Sequence, residues 1–200
     1  GARPNEARRF DIASDGSRAL WAGGLRVRRP DGEVLTPPIV PDGESAEYLR
    51  QLWFDRDGVL NVCGSAPVAL TRWSADLDID ALGDHLPHPT CYGLVEDPAG
   101  ALWVGTYRGP MRLSAGPVWQ RWLNPGQSSN GQAYALAAAQ DGGYWVGAAN
   151  GIHRLAASGR HMSHFEMPVT VRALAETTSG EVYASRGSTL MVRETSAWKH

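Results

Sequence analysis

Short apolar runs separated by tight turns recur along the chain and predict β-strands. Residues 102–106 are almost continuously apolar, as expected for a strand buried on both faces. Residues 97–100 precede them with the sequence Asp-Pro-Ala-Gly, which is typical of a tight turn because proline fixes φ and glycine accepts a positive φ. Residues 111–114 alternate apolar and polar positions, and residues 118–122 fit an outer strand with one wet face. No apolar stripe of helical period and useful length is present, so we expect almost no helix.

These elements repeat in a fixed frame. In the two clearest copies an apolar residue lies nine positions before a tryptophan, a glycine lies three before it, and another glycine lies two after it. The same frame fits three weaker copies, in the first of which Arg18 replaces the glycine before the tryptophan. The position of the aromatic residue steps by 40, 42, 42 and 38 residues through Trp21, Asn61, Trp103, Trp145 and Tyr183.

Four short strands in each unit of about 40 residues are typical of a β-propeller blade. We therefore predict an all-β fold, a β-propeller of four-stranded antiparallel blades. The chain would supply about five blades, either as a five-bladed ring or as part of a larger propeller. Stacked blades would bury Trp103 and Trp145 between neighbours, whereas the units of a solenoid, the rival architecture, usually carry one or two strands. The expected blades span residues 8–40, 47–86, 90–124, 131–167 and 169–200 of a single propeller domain or fragment.

Composition narrows the range of functions. The 200 residues carry 19 Lys and Arg against 21 Asp and Glu, a net charge of −2, which argues against a dedicated nucleic-acid-binding protein. No stretch approaches the roughly 20 apolar residues needed to cross a bilayer, so we expect no membrane segment in this chain. Two cysteines are too few for a disulfide-stapled scaffold or a four-cysteine zinc site. A bridge between Cys63 and Cys91 stays open, but two small buried thiols are favoured.

Residues 97–113 carry the best copy of the motif, Asp-Pro-Ala-Gly-Ala-Leu-Trp-Val-Gly-Thr-Tyr-Arg-Gly-Pro-Met-Arg-Leu. This sequence resembles the two-component regulator propeller repeat, and residues 141–155 are nearly as similar. The resemblance implies an extracytoplasmic propeller of a bacterial signalling protein, periplasmic or extracellular, placed ahead of a membrane helix and an output module. Some relatives respond to carbohydrates.

The resemblance therefore leads us to expect a non-catalytic module that senses a ligand or partner and needs no cofactor. Its partners would be a carbohydrate or other small ligand and a downstream signalling domain of the same polypeptide. Two alternatives stay open. One is a propeller enzyme similar to the streptogramin lyases, which use His and Glu with a divalent metal. The other is a scaffold that binds only proteins.

Ligands of propellers usually meet the loops that join strand four to the next strand one and strand two to strand three. In this chain those loops are rich in aromatic and hydrogen-bonding side chains, which suit sugar rings, although Tyr and Asn are also ordinary turn residues. Thr170 and Arg172 lie in the same loop set. The expected ligand-binding residues are Tyr48, His88, Tyr92, Tyr107, Arg108, Asn130, Gln132, Tyr134, Asn150 and Arg186.

We predict neither a catalytic residue nor a metal site. His161 and His164 lie three apart on an expected strand and so should face opposite sides, and His85 and His88 are expected to be solvated. The acidic positions of residues 75–81 alternate with Leu77 and Ile79, which favours an amphipathic outer strand over a calcium loop. The chain contains no G-x-S-x-G, phosphate-binding or H-E-x-x-H motif.

Overall fold

The described part of the computed structural model is all-β. Its residues form twenty strands arranged in five four-stranded antiparallel sheets, with no helix among them. None of them therefore forms a helix able to cross a membrane. The chain divides into two compact units, Gly1–Cys91 and Tyr92–His200, here called unit 1 and unit 2. The structure describes residues 9–21, 24–37, 49–65, 70–74, 79–80, 86, 88, 90–97, 100–113, 119–121, 132–167, 170–194 and 197–199.

Unit 1 contains blades 1 and 2. In both, each strand pairs with the next along the chain. Blade 1 comprises β1 (Arg9–Ile12), β2 (Arg18–Trp21), β3 (Leu25–Arg28) and β4 (Val34–Leu35), and blade 2 comprises β5 (Leu49–Phe54), β6 (Leu60–Gly64), β7 (Leu70–Trp73) and β8 (Ile79–Asp80).

Unit 2 contains blades 3, 4 and 5 with the same strand order, and the first residue of β9 is the last residue of unit 1. Blade 3 comprises β9 (Cys91–Glu96), β10 (Leu102–Thr106), β11 (Gly109–Leu113) and β12 (Trp119–Arg121). Blade 4 comprises β13 (Ala133–Ala138), β14 (Tyr144–Ala148), β15 (Gly151–Leu155) and β16 (His161–Glu166). Blade 5 comprises β17 (Val171–Glu176), β18 (Val182–Arg186), β19 (Thr189–Glu194) and β20 (Ala197–Lys199).

The turn between the first two strands is the same in every blade. In blade 3 the Asp97 N–H donates to the Ala101 carbonyl and the Gly100 N–H to the Asp97 carbonyl, both at 2.9 Å. The glycine has a positive φ that a side chain would strain. The five blades each have such a turn glycine, with φ between 77° and 89°: Gly16, Gly58, Gly100, Gly142 and Gly180.

The position of this turn in blade 1 shows that the predicted alignment of that blade with the other blades was wrong by two residues. Its glycine is Gly16 and not the position of Arg18, so Ala19 rather than Trp21 corresponds to Trp103. The turns step by 42, 42, 42 and 38 residues through the five glycines. The error has a simple origin: side chains two apart on a strand share a face, so an apolar pattern does not distinguish the two alignments.

Trp103 and Trp145 pack between blades, as predicted. Trp145 of blade 4 lies in a core cluster with Val171 and Val182 of blade 5. In unit 1, Trp21 belongs to a core cluster with Phe54 and Val62 of blade 2. In unit 2, Trp103 of blade 3 is fully buried and its ring centroid lies 4.2 Å from that of Tyr144 in blade 4. Burial of such large rings supplies much of the stabilisation that a lone four-stranded sheet lacks.

The small residue after each tryptophan marks a close approach of two strands. A Cβ added at Gly105 would lie 2.7 Å from the Ala133 carbonyl oxygen, and one at Gly147 would lie 2.8 Å from the Val171 oxygen. Only glycine therefore fits at these two positions without moving the next strand. The first strands β13 and β17 are held against the blades that precede them.

Cys63 and Cys91 form a disulfide within unit 1, with their Cα atoms 5.3 Å apart. The expectation of two free thiols was wrong. An isolated antiparallel bridge between Ser65 and Thr90 aligns the two segments, and this long-range pairing is not visible in the sequence.

Several predicted features fall partly or wholly outside the described residues. Of the predicted outer strand 75–81 the structure describes only β8, in which Asp80 is the register partner of Arg72. The side chains of Asp80 and Arg186 are not described. The predicted positions outside the described residues are Tyr48, Asp76, Asp78, His85 and Asn130.

Candidate ligand site

The candidate site is built from the first strands of three successive blades in unit 2. The second residue of each strand is large and polar: Tyr92 on β9, Tyr134 on β13 and Arg172 on β17. The glycine contacts of Gly105 and Gly147 fix the neighbouring residues Ala133 and Val171. Equivalent strand positions therefore bring these three side chains together.

The three side chains form a continuous row. The ring centroids of Tyr92 and Tyr134 lie 4.8 Å apart with the planes inclined at 58°. The guanidinium carbon of Arg172 lies 5.0 Å from the centroid of the Tyr134 ring, within cation–π range. We call Tyr92, Tyr134, Arg172 and Gln132 the tyrosine–arginine cluster.

β-Bulges set the direction of two of these side chains. In blade 4 the register shifts between Ala133 and Ala135, so Tyr134 is the additional residue of β13. In blade 5 the shift falls between Val171 and Leu174, and the extra stretch is held by bonds from the Arg172 and Ala173 N–H groups to Ser185 Oγ. A bulge re-aims a side chain out of the regular alternation of a strand.

Tyr134 is the half-buried centre of the cluster. Its hydroxyl donates to Gln132 Oε1. Burial raises the pKa of Tyr134, the phenols of Tyr92 and Tyr107 raise it further, and the positive charge of Arg172 acts in the opposite direction. The phenol therefore stays protonated near neutral pH. The cluster offers aromatic faces, an amide and a guanidinium, which together suit a polar ligand with a flat face.

The structure brings together three of the predicted rim residues, Tyr92, Gln132 and Tyr134. Tyr107 and Arg108 lie in the exposed turn between β10 and β11. Arg172, which the sequence places in the same loop set, completes the row. The recurring bulges carry no sequence signal, so the position of Arg172 over Tyr134 was not predictable.

The other predicted rim residues lie elsewhere or lack described side chains. His88 is half-buried in unit 1. Asn150 lies in the turn between β14 and β15, where its Oδ1 is 3.0 Å from His153 Nε2. Arg186 ends β18, while Tyr48 and Asn130 are outside the described residues.

Three histidines of blade 4 cluster beside Asn150, contrary to prediction. The rings of His153 and His164 stack with centroids 4.1 Å apart, and His153 Nδ1 lies 3.2 Å from His161 Nε2. The prediction that His161 and His164 face opposite sides was wrong because a bulge between Arg154 and Leu155 shifts the register of β16 by one residue. Burial and the two neighbouring histidines lower the pKa of His153 to about 4.

The histidine cluster is hydrogen-bonded in its neutral form. Asn150 Oδ1 can only accept, so His153 Nε2 donates to it and Nδ1 is left to accept from His161 Nε2. His164 Nε2 donates to the Asn150 carbonyl at 3.1 Å. Among the residues that the structure describes, no group of three or more His, Cys, Asp and Glu side chains is placed to hold a metal ion.

The comparisons agree with this architecture. Residues 85–108 match the family described as two component regulator propeller. No curated protein matches the chain. Virginiamycin B lyase from Staphylococcus aureus has a similar fold, with a TM-score of 0.76 and 16% identity over 98% of this chain and 70% of the lyase chain.

Two extracellular domains from B. thetaiotaomicron are also similar. The domain of the hybrid two component system BT3049 gives a TM-score of 0.76 at 16% identity, covering all of this chain and 30% of that one. The domain of the hybrid two component system BT4673 gives a TM-score of 0.68 at 16% identity, and the match covers all of this chain and 33% of that domain's chain. At such identities the likeness shows the fold alone. The chain is an all-β protein with the β-propeller fold, and it carries the two component regulator propeller repeat.

Proposed function

We propose that this chain is an extracytoplasmic sensing module that binds a small polar ligand, a carbohydrate in the first instance, at the tyrosine–arginine cluster. The observation that carries the proposal is the row of Tyr92, Tyr134 and Arg172, contributed by equivalent positions of three blades. Bound ligand would contact three blades at once and bias their packing. A signalling domain of the same polypeptide would receive that change.

The repeat family and the extracellular domains of two-component systems with this fold support a sensory role. The disulfide between Cys63 and Cys91 supports an oxidising compartment, periplasmic or extracellular, because such bridges persist there and are rare in the cytosol.

The test is calorimetric titration of the 200-residue chain with maltoheptaose, cellohexaose and a galacturonate oligomer. We expect one of the three to bind, and Tyr134→Ala or Arg172→Gln to weaken that binding at least tenfold. Arg160→Gln is the matched control, because Arg160 is an exposed arginine in the turn between β15 and β16. Equal binding by the wild type and Tyr134→Ala, or equal weakening by the control, would contradict the assignment of the site. Failure of all three sugars to bind would contradict the carbohydrate class.

A lyase is the second candidate, because the chain shares its fold with virginiamycin B lyase. A catalytically inactive form of that lyase has been solved with quinupristin. Incubation of the chain with quinupristin and Mg²⁺, followed by mass spectrometry, separates the two. We expect quinupristin to remain intact, and its conversion would favour the enzyme.

A further inference from the structure

Blade 1 departs from the other blades at the first residue of its second strand. Once the blades are aligned on their turn glycines, this position is apolar and between 1% and 8% exposed in the other four blades. In blade 1 it is Arg18, which is exposed. The apolar counterparts are Leu60, Leu102, Tyr144 and Val182.

The partner of Arg18 across the strand pair is also an arginine. In blade 2 the equivalent pair is Leu60 and Trp73, and in blade 4 it is Tyr144 and Leu155. In blade 1 the pair is Arg18 and Arg28. Like charges directly opposite each other on neighbouring strands repel. Two cations therefore face each other in blade 1, where blades 2 and 4 have an apolar pair and blade 5 pairs Val182 with a single arginine.

These two arginines line a cavity of about 140 Å³ together with Gly16, Arg29 and Pro30. The cavity lies between two turns of blade 1, one directly before β2 and the other directly after β3. A water needs only about 10–15 Å³ by the same measure, so the cavity has room for a tetrahedral oxyanion. Gly16 leaves space around it, since a Cβ there would meet nothing within 4 Å.

The neighbouring acidic groups are already engaged. Asp15 accepts from the Ser17 N–H and hydroxyl at 2.8 and 3.0 Å, and Asp31 accepts from the Glu33 N–H at 2.9 Å. Glu33 forms an ion pair of 2.7 Å with Arg29. Within the described residues neither Arg18 nor Arg28 forms an ion pair, so both guanidinium groups are free to bind an anion.

We propose that this cavity is an oxyanion site in which Arg18 and Arg28 bind a phosphate, sulfate or carboxylate group. The planar guanidinium matches the oxygen pairs of these groups and binds them in a bidentate manner. A bound anion would replace the repulsion of the two arginines with two charge-assisted contacts. The site lies wholly in unit 1 and is independent of the tyrosine–arginine cluster.

The test is titration of the full chain with inorganic phosphate at constant ionic strength, followed by calorimetry and by thermal unfolding. We expect saturable binding, a Tm that rises with phosphate, and a Kd at least tenfold higher in Arg18→Gln and Arg28→Gln. Arg26→Gln is the matched control, because Arg26 is exposed on the same face, opposite Leu20, and does not line the cavity. Its Kd should change by less than twofold.

The variants also make a prediction in phosphate-free buffer. There Arg18→Gln and Arg28→Gln should unfold at the wild-type temperature or above it, because each removes the cross-strand repulsion; lost binding would then not reflect misfolding. Parallel titrations with sulfate and acetate distinguish the oxyanions. The proposal is overturned if none of the three binds saturably, if the cavity variants bind like wild type, or if Arg26→Gln weakens binding as much as they do.

Discussion

Blades 2 and 3 place the same carboxylate at the same turn but surround it with different side chains. In blade 3, Asp97 accepts from the Ala101 N–H at 2.7 Å, the Trp103 indole at 3.3 Å and Arg112 at 3.2 Å. In blade 2, Asp55 accepts from the Val59 N–H at 2.9 Å, the Asn61 amide at 3.3 Å and Arg72 at 2.9 Å.

Asn61 therefore donates from the position where blade 3 has the Trp103 indole N–H. The comparison teaches that the element shared by blades 2 and 3 is a turn carboxylate that accepts from a backbone N–H, a side chain of the second strand and an arginine of the third strand. The aromatic ring is an addition to this element, and it fills the space against the next blade. Blade 2 looks degraded in sequence because it lacks the ring, although it retains the polar element.

The largest loss of stability is expected on removal of the Trp103 ring. Trp103→Ala removes a fully buried side chain and its contact with Tyr144, and it should lower the free energy of unfolding by about 3–5 kcal/mol. Urea denaturation measures the change, with Tyr107→Ala, an exposed ring of the adjoining turn, as a control expected to stay within about 0.5 kcal/mol. A loss below about 1 kcal/mol for Trp103→Ala would show that the ring is dispensable.

The turn carboxylates of blades 2 and 3 should contribute about equally to the free energy of unfolding. Asp97→Asn and Asp55→Asn each weaken charge-assisted bonds and leave a half-buried arginine without its counter-ion, and each should cost about 1.5–3 kcal/mol. Urea denaturation of both variants at pH 7 is the measurement. If Asp55→Asn left the free energy of unfolding unchanged, blade 2 would have lost the polar element.

Acid titration sharpens this comparison for Asp97. Burial alone would raise its pKa, but the bonds from Ala101, Trp103, Arg112 and Tyr144 lower it below the ordinary value of 3.8. Its contribution to stability is therefore present above pH 3.8 and is lost as the pH falls through the lowered pKa. The difference between wild type and Asp97→Asn should shrink below pH 3.8.

Blade 4 extends the comparison to a polar group that is stable only when neutral. The pKa of His153 is lowered to about 4 by burial and by the adjoining His164 and His161, so its neutral form is favoured by folding. Its contribution is complete above the ordinary value of 6.5 and declines as the pH falls from 6.5 towards 4. Over that window the wild type should lose about 1–2 kcal/mol, after allowance for solvent screening.

Urea denaturation of His153→Gln between pH 6.5 and 4.5 tests this expectation. The variant should show a flatter profile than the wild type. Identical profiles for the wild type and His153→Gln would contradict the assigned tautomers and the lowered pKa.

The smallest effect is expected at Asn61. Its amide donates to Asp55 and to the Val59 carbonyl, but its own Oδ1 is buried and has no hydrogen-bond partner among the residues that the structure describes. Asn61→Ala removes both the two bonds and the unsatisfied oxygen, so the net cost should be about 0.5–1.5 kcal/mol. A cost comparable with that of Trp103→Ala would mean that the amide replaces the ring in packing as well as in hydrogen bonding.

The features that the sequence predicts correctly are local ones. The turn of residues 97–100, the buried strand 102–106 and the recurrence of Trp103 and Trp145 follow from backbone preferences and burial, which a few neighbouring residues determine. Of the candidate site, Tyr92, Gln132 and Tyr134 were predicted from their loop positions, but their mutual contact was not.

The chain's sequence by itself determined a repeated four-stranded unit with a polar turn and an aromatic face. Only the tertiary structure decided the alignment of blade 1, the Cys63–Cys91 bridge, the row of Tyr134 and Arg172, and the pairing of Arg18 with Arg28. The physical reason is that a bulge or a cross-strand pair depends on a partner distant along the chain, whereas a turn depends on its own few residues. One added residue in a strand reverses which face a side chain occupies, and no local pattern records where that residue is inserted.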